Sequence, residues 1–148
     1  MPQWWAPEGI ADGRSKADQA EFDLMLPKIT DLYLTSPVLI MLDNTYPGRF
    51  WTLMEAWCAM MTATADGVRA AKGSEKRFTI ECLHNADPKF DTPKLIGFVS
   101  DKTPAQMRDI LAKPDVAVTN AKDKELFLPV VGQTNEHVKE MMAVVQRL

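Results

Sequence analysis

The side chains best suited to chemistry lie where an apolar run gives way to a polar loop. Asp43 follows the apolar residues 37–42, and Arg49 and Trp51 come a few positions later. A guanidinium pairs well with a phosphate and an indole ring stacks on flat rings, so this loop has groups suited to a nucleotide. In open α/β sheets, ligands bind outside the carboxyl ends of strands, and this loop is expected there.

Each of these residues also has an ordinary structural explanation. Arg49 can be a salt-bridge partner within the loop, and Asp43 can simply stabilise a turn through its side chain. Glu55 lies in the first turns of the helix expected after the loop, where the helix dipole stabilises a negative charge. Trp51 and Trp57 are not at same-face helical spacing, so we expect Trp57 to pack in the core.

Length and composition are typical of a single-domain globular protein. The 148 residues correspond to about one domain, which is large enough to form a core without disulfides or a metal. The net charge of −3 argues against nucleic acid or an anionic membrane as the main partner. The N-terminal residues lack the pattern of a signal peptide, and the longest apolar run is too short to span a bilayer. We therefore expect a cytoplasmic protein.

The cysteines and histidines show no metal-binding pattern. Cys58 and Cys82 lie in separate apolar segments and are expected to be buried, reduced thiols. His84 and His137 are far apart, and neither has the spacing to the cysteines that is typical of zinc sites. We expect no metal and no bound cofactor.

A helix is expected near the N-terminus, after an irregular arm over residues 1–14. Ser15 and Asp18 form a variant of the capping box. Apolar residues then recur at helical spacing up to Tyr33. Pro27 interrupts this pattern, and it is expected to kink the helix or divide it.

Strands and helices alternate through the rest of the chain. We expect strands over residues 37–42, 78–83 and 115–119, the first of them buried on both faces. The expected helices cover residues 49–65, 103–113 and 134–148, and the apolar segment 95–99 is too short to assign. This alternation predicts one α/β domain over residues 1–148 with a small, largely parallel sheet and crossover helices.

Residues 36–55 combine an apolar strand, a loop with Tyr46 and Trp51, and a helix with Glu55. This order resembles the strand–loop–helix segment of TIR domains. The stretch Arg49-Phe50-Trp51-Thr52-Leu53-Met54-Glu55 is similar to the Arg-x-Trp-Thr-x-x-Glu motif of the related fungal HET domains. The resemblance covers residues 1–60 by motif and the remainder only by the order of elements. It implies a three-layer, flavodoxin-like or TIR-like fold.

The resemblance implies an intracellular signalling module that cleaves NAD at the nicotinamide–ribose bond, with NAD as a substrate. A carboxylate beside the ribose can stabilise the oxocarbenium-like transition state of that reaction. The resemblance assigns this catalytic role to Glu55. It assigns substrate binding to Asp43, Tyr46, Arg49 and Trp51.

The chain departs from the family pattern at its N-terminus. A TIR-like domain has a strand, a helix and a second strand before the region matched here, so the chain is expected to be truncated. Without them, the strand at 37–42 is expected to have an unpaired edge. This departure favours the alternative of a non-catalytic domain that associates with itself or with other TIR-like domains. A small α/β enzyme of another class, using Asp43 or Cys82, is a third possibility, although no P-loop, dinucleotide fingerprint or nucleophile elbow is present.

Overall fold

The computed structural model describes residues 13–148. Its α-helices are α1 Lys16–Met25, α2 Ile29–Thr35, α3 Phe50–Met60, α4 Asp91–Val99, α5 Pro104–Leu111, α6 Ala121–Gly132 and α7 Thr134–Val145. Its strands are β1 Val38–Leu42, β2 Met61–Thr64, β3 Gly67–Ala70 and β4 Phe78–Cys82. Within 13–148, no helix has both the length and the apolar character needed to cross a bilayer. Most of the predicted irregular arm, residues 1–12, lies outside the described residues.

The N-terminal helices form as the sequence predicts. Ser15 accepts a hydrogen bond from the backbone of Asp18 at 3.1 Å, and the Asp18 carboxylate accepts one from the Ser15 backbone at 2.9 Å. This reciprocal pair satisfies amides that would otherwise have no helical partner. Pro27 lies in a 3-10 turn, Leu26–Lys28, which divides α1 from α2. Both the capping box and the division at Pro27 are confirmed.

The main sheet has two parallel strands. β1 and β4 pair in register from Val38 opposite Phe78 to Leu42 opposite Cys82. The parallel pairing and both strands are confirmed. Helices pack on one face of the pair, so Ile40 and Leu42 are buried whereas Leu39 and Met41 are 61% and 54% exposed. The prediction that β1 is buried on both faces is therefore wrong for the described residues.

The outer edge of β1 has no strand beside it within residues 13–148, because β4 is its only neighbour there. The predicted unpaired edge is confirmed to this extent. Parallel sheets are normally covered on both faces, and their edge strands usually carry features that discourage further pairing. Within the part of the chain that the structure describes, β1 is therefore open in two directions, along its edge and on the face that carries Leu39 and Met41.

Helix α3 is the centre of the core. Eight of its eleven residues are buried, and Trp57 is fully buried with its indole N–H donating to the Lys102 carbonyl at 2.9 Å. The predicted structural role of Trp57 is confirmed. The helix ends at Met60 rather than near residue 65, because Met61 adopts an extended backbone and begins an antiparallel β2–β3 hairpin. The two-residue turn between these strands is Ala65-Asp66, and Gly67 follows it at a positive φ of 119°. The helix predicted over residues 49–65 overlooked this hairpin.

The last third of the chain differs most from the prediction. Residues 115–119 do not form a third strand, since Ala117 makes only an isolated parallel bridge with Arg49. This contact goes to the loop before α3 and not to either strand of the main sheet. The unassigned segment 95–99 is the end of α4, and α6 was not predicted. The C-terminal helix is confirmed, although it ends at Val145.

Candidate functional site

The loop after β1 holds Asp43 and Arg49 close together. The Asp43 carboxylate accepts hydrogen bonds from the Thr45 backbone at 3.0 Å and from the Thr45 hydroxyl at 2.8 Å. Arg49 approaches the same oxygen at 3.5 Å. The Thr45 hydrogen bonds and then the Arg49 charge hold the pKa of Asp43 below its ordinary value. Asp43 therefore stabilises the turn, as an Asx residue does, and stays ionised at neutral pH.

Trp51 points away from this loop. Its indole N–H donates to the Asp123 carboxylate at 3.1 Å, and its ring meets Phe127 edge-on with centroids 4.8 Å apart. Both partners belong to α6. The ring is therefore already packed between helices, and a ligand stacking on it would have to share or replace the Phe127 contact.

Glu55 is half-buried on the side of α3 that packs against α2. Burial raises the pKa of its carboxyl, and an interaction with the Tyr33 hydroxyl partly offsets this. Burial and the nearby Glu55 charge raise the pKa of Tyr33 to about 12, and the same causes raise the pKa of Tyr46. Cys58, fully buried one turn along the helix, has its pKa raised to about 12, chiefly by burial. Glu55 thus lies among apolar and phenolic groups and holds a proton more readily than a solvated glutamate does.

Four of the five predicted site residues form a connected group. Asp43 touches Arg49, and Tyr46 lies near both the Arg49 charge and the Glu55 charge. The Tyr46 ring is buried, and its carbonyl accepts a hydrogen bond from Thr52 at 2.7 Å, which fixes the loop on α3. Trp51 is the exception, because it faces α6. The group therefore consists of an exposed ion pair and, on the other side of the Tyr46 ring, a half-buried carboxyl with a raised pKa.

Two concave surfaces lie elsewhere on the described residues. One, of about 340 Å³, lies beside α2 at the start of β1 and is lined by Leu32, Tyr33, Ser36, Pro37, Val38 and Leu39. Through Tyr33 this groove borders the Glu55 environment. None of the five predicted site residues lines it.

The second concave surface contains a pair of residues that the sequence did not suggest. It measures about 280 Å³ and lies between α2 and the α6–α7 junction. Asp31 and His137 meet there, with Nε2 and Oδ1 2.6 Å apart. They are 106 positions apart in the chain, and no local spacing rule relates them. Only the tertiary fold, which packs α7 against the β2–β3 hairpin, shows the contact.

The described residues give no sign of a bound metal or of a missing polar ligand. No group of three or more acidic, cysteine or histidine side chains in 13–148 is placed to hold a metal ion. Each buried side-chain nitrogen and oxygen in this range has a hydrogen-bond partner. Comparisons of the chain with protein-family models, curated proteins and solved structures found no match in any of the three.

Proposed function

We propose that this chain is a TIR/HET-like interaction module that associates with copies of itself or with related domains through the open edge of β1. The observation that carries the proposal is an edge of β1 with no neighbouring strand within residues 13–148, combined with exposed Leu39 and Met41 on the same strand. Extended backbone with unsatisfied amides and carbonyls readily accepts another strand. The proposal includes the flavodoxin-like, three-layer arrangement that the resemblance implies. In such a fold, further strands and helices cover the strand equivalent to β1.

The composition of the edge supports the same function. Between Pro37 and Asp43 there is no charged residue, no glycine and no internal proline. Proteins usually protect a free edge with lysine, proline or a bulge, and this strand has none of these between its ends. A segment of this kind is expected to be covered by another strand.

Light scattering over a concentration series tests the proposal. The average mass should grow with protein concentration, and Leu39→Lys combined with Met41→Lys should suppress the growth, because lysines at an edge oppose pairing. Both side chains are exposed, so the variant should keep its fold, which circular dichroism checks. Thr79→Lys, at an exposed position on the neighbouring strand β4, is the matched control. Constant monomer mass, or growth that the two lysines leave unchanged, would contradict the proposal.

NAD cleavage is a second candidate function, and Glu55 is the observation that favours it. This carboxyl is half-buried, has a raised pKa and lies on the helix that follows β1. A carboxylate beside the ribose is the group that an oxocarbenium-like transition state needs. Asp43, Tyr46 and Arg49 would contact the substrate on the loop side, and Trp51 would take part only after releasing Phe127.

Nicotinamide release distinguishes the two candidates. Glu55→Gln should abolish release while leaving the folded state intact, because the amide keeps the size of the carboxyl and loses its charge. Glu140→Gln, at an exposed position on α7, controls for the loss of one carboxylate. Equal rates in wild type and Glu55→Gln would remove this candidate.

A further inference from the structure

We propose that the partner of β1 is β1 of a second copy, paired antiparallel about a two-fold axis that passes beside Ile40. This inference rests on the proposed function and specifies its geometry. It joins the two small sheets into one of four strands, in the order β4, β1, β1 of the second copy, and β4 of the second copy.

The backbone hydrogen bonds show which groups are available. The Val38 amide donates to the Arg77 carbonyl at 2.8 Å, and the Leu42 carbonyl accepts from the Leu83 amide at 2.8 Å. In a parallel pair, alternate residues of a strand make the bonds to its neighbour, so Val38, Ile40 and Leu42 face β4. The amides and carbonyls of Leu39 and Met41 therefore face the open edge.

The free backbone groups of Leu39 and Met41 can pair with the same groups of a second copy. With the axis beside Ile40, Leu39 of one copy lies opposite Met41 of the other, and each pair exchanges both of its backbone hydrogen bonds. The same register brings Pro37, which has no amide hydrogen, opposite Asp43, and the ladder ends there. With the axis at Leu39, Met41 would lie opposite Pro37, which has no amide hydrogen. With the axis at Met41, Leu39 would lie opposite Asp43, which follows the end of the strand. The Ile40 register satisfies the most backbone groups.

The exposed side chains agree with this register. Leu39 and Met41 would become direct cross-strand neighbours on the open face, where apolar pairs stabilise a sheet. Pairing of this type keeps the helices of both copies on the same face. The groove beside α2, with Leu32 57% exposed on its wall, gives the second strand room next to the helix. No like charges oppose each other, because residues 38–42 carry none.

A second copy fits better than an unrelated extended peptide because the amides and carbonyls of Leu39 and Met41 in each copy pair with those of Met41 and Leu39 in the other. The two-fold contact satisfies both open edges at once and closes, so it does not continue into a fibre. On β4, by contrast, the exposed face carries Thr79 and Glu81 opposite Leu39 and Met41, and a charged side chain protects that strand. Few residues take part, so the interface falls below about 1,200 Å², the class of weak complexes. We expect half-dimerisation at roughly tens to hundreds of micromolar protein.

Disulfide trapping between two variants, each with one added cysteine at the edge of β1, tests the register. Leu39→Cys and Met41→Cys are each made in the full chain with Cys82→Ala, while buried Cys58 stays in place. Directly opposed residues in a hydrogen-bonded antiparallel pair have Cα atoms about 5.5 Å apart, which suits a disulfide. An oxidised equal mixture should give a cross-linked heterodimer, and either variant alone should give at least about fivefold less dimer.

The outcomes separate this inference from the proposed function. Strong cross-linking of Leu39→Cys alone would place the axis at Leu39 and overturn the Ile40 register. Absence of cross-links in a sample whose mass still grows, and whose growth the two lysines suppress, would overturn self-pairing of β1 while association through this edge stands. A chain that is monomeric throughout the concentration series would overturn both.

Discussion

Arg77 provides the sharpest test of how this small fold is held together. From the residue just before β4 its guanidinium donates to three backbone carbonyls, those of Tyr33 at 3.2 Å, Ser36 at 2.7 Å and Met61 at 2.8 Å. One side chain therefore joins the end of α2, the entry to β1 and the start of the hairpin. Partial burial lowers the pKa of Arg77, but a guanidinium remains charged at neutral pH.

The magnitude follows from these three contacts. A hydrogen bond from a charged donor contributes about 1.5–3 kcal/mol, so three of them sum to roughly 4.5–9 kcal/mol. The contributions overlap, and water can reach part of the group, so we expect Arg77→Met to cost about 3–5 kcal/mol. Methionine keeps much of the apolar stem, and the loss is therefore assigned to the hydrogen bonds.

Urea unfolding is the measurement. With a slope of about 1.5–2 kcal/mol/M, this loss lowers the midpoint by roughly 2 M. Arg77→Lys should recover less than half of the loss, because a single ammonium cannot reproduce the planar fork of donors. Arg147→Met, at an exposed position near the C-terminus, should change stability by less than about 0.5 kcal/mol. A loss below about 1 kcal/mol for Arg77→Met would refute the reasoning.

Two further predictions concern a carboxyl and a glycine. The pKa of Glu55 is raised above 4.5 in the folded chain, so the free energy of unfolding should fall as pH rises from 4.5 through that raised value. Glu55→Gln should remove this decline and Glu140→Gln should not, as urea titrations at several pH values will show; a parallel decline in Glu55→Gln would contradict the assignment. Gly67 has φ +119° and an added Cβ would lie 2.6 Å from the Asn135 Cγ, so Gly67→Ala should cost about 2–3 kcal/mol. Gly97→Ala, in α4 with open space around it, should instead stabilise by about 0.5–1 kcal/mol, and equal effects at the two glycines would be the opposing result.

The elements predicted correctly are those with a strong local signal. The capping box at Ser15 and the proline that divides α1 from α2 each involve residues only a few positions apart, and both are present. Strand β1 was recognisable as an uninterrupted apolar run. Each of these features is marked by residue types that lie close together in the chain, so local sequence was sufficient to predict it.

The errors came from contacts between distant residues. Ala117 lies in a stretch with good strand propensity, yet Gly48 and Phe50 take its two backbone hydrogen bonds and no ladder forms. Helix α6 contains Pro129, which weakened the helical pattern, and packing around Phe127 and Val131 outweighs that cost.

The candidate site shows the same division. The contact between Asp43 and Arg49 joins residues six positions apart in one loop. A salt bridge of Arg49 within this loop was one interpretation of the sequence. The direction of Trp51 depends on α6, which the sequence did not reveal. The pair Asp31 and His137 depends on the tertiary placement of α7, which packs against the β2–β3 hairpin, and no pattern in either segment indicates the contact.

The backbone hydrogen bonds of Ala117 have a consequence for which substitutions can change the candidate site. Its amide donates to the Gly48 carbonyl at 2.7 Å and its carbonyl accepts from the Phe50 amide at 2.9 Å. A few residues later, the Asp123 carboxylate accepts a hydrogen bond from the Trp51 indole N–H. The loop bearing Asp43 and Arg49 is thus anchored at its far end by a linker that contributes none of the candidate site residues. Substitutions in residues 117–123 can therefore shift the position of the loop while every residue in the loop stays the same. Related sequences that keep the loop residues keep the geometry of the site only if they also keep these contacts.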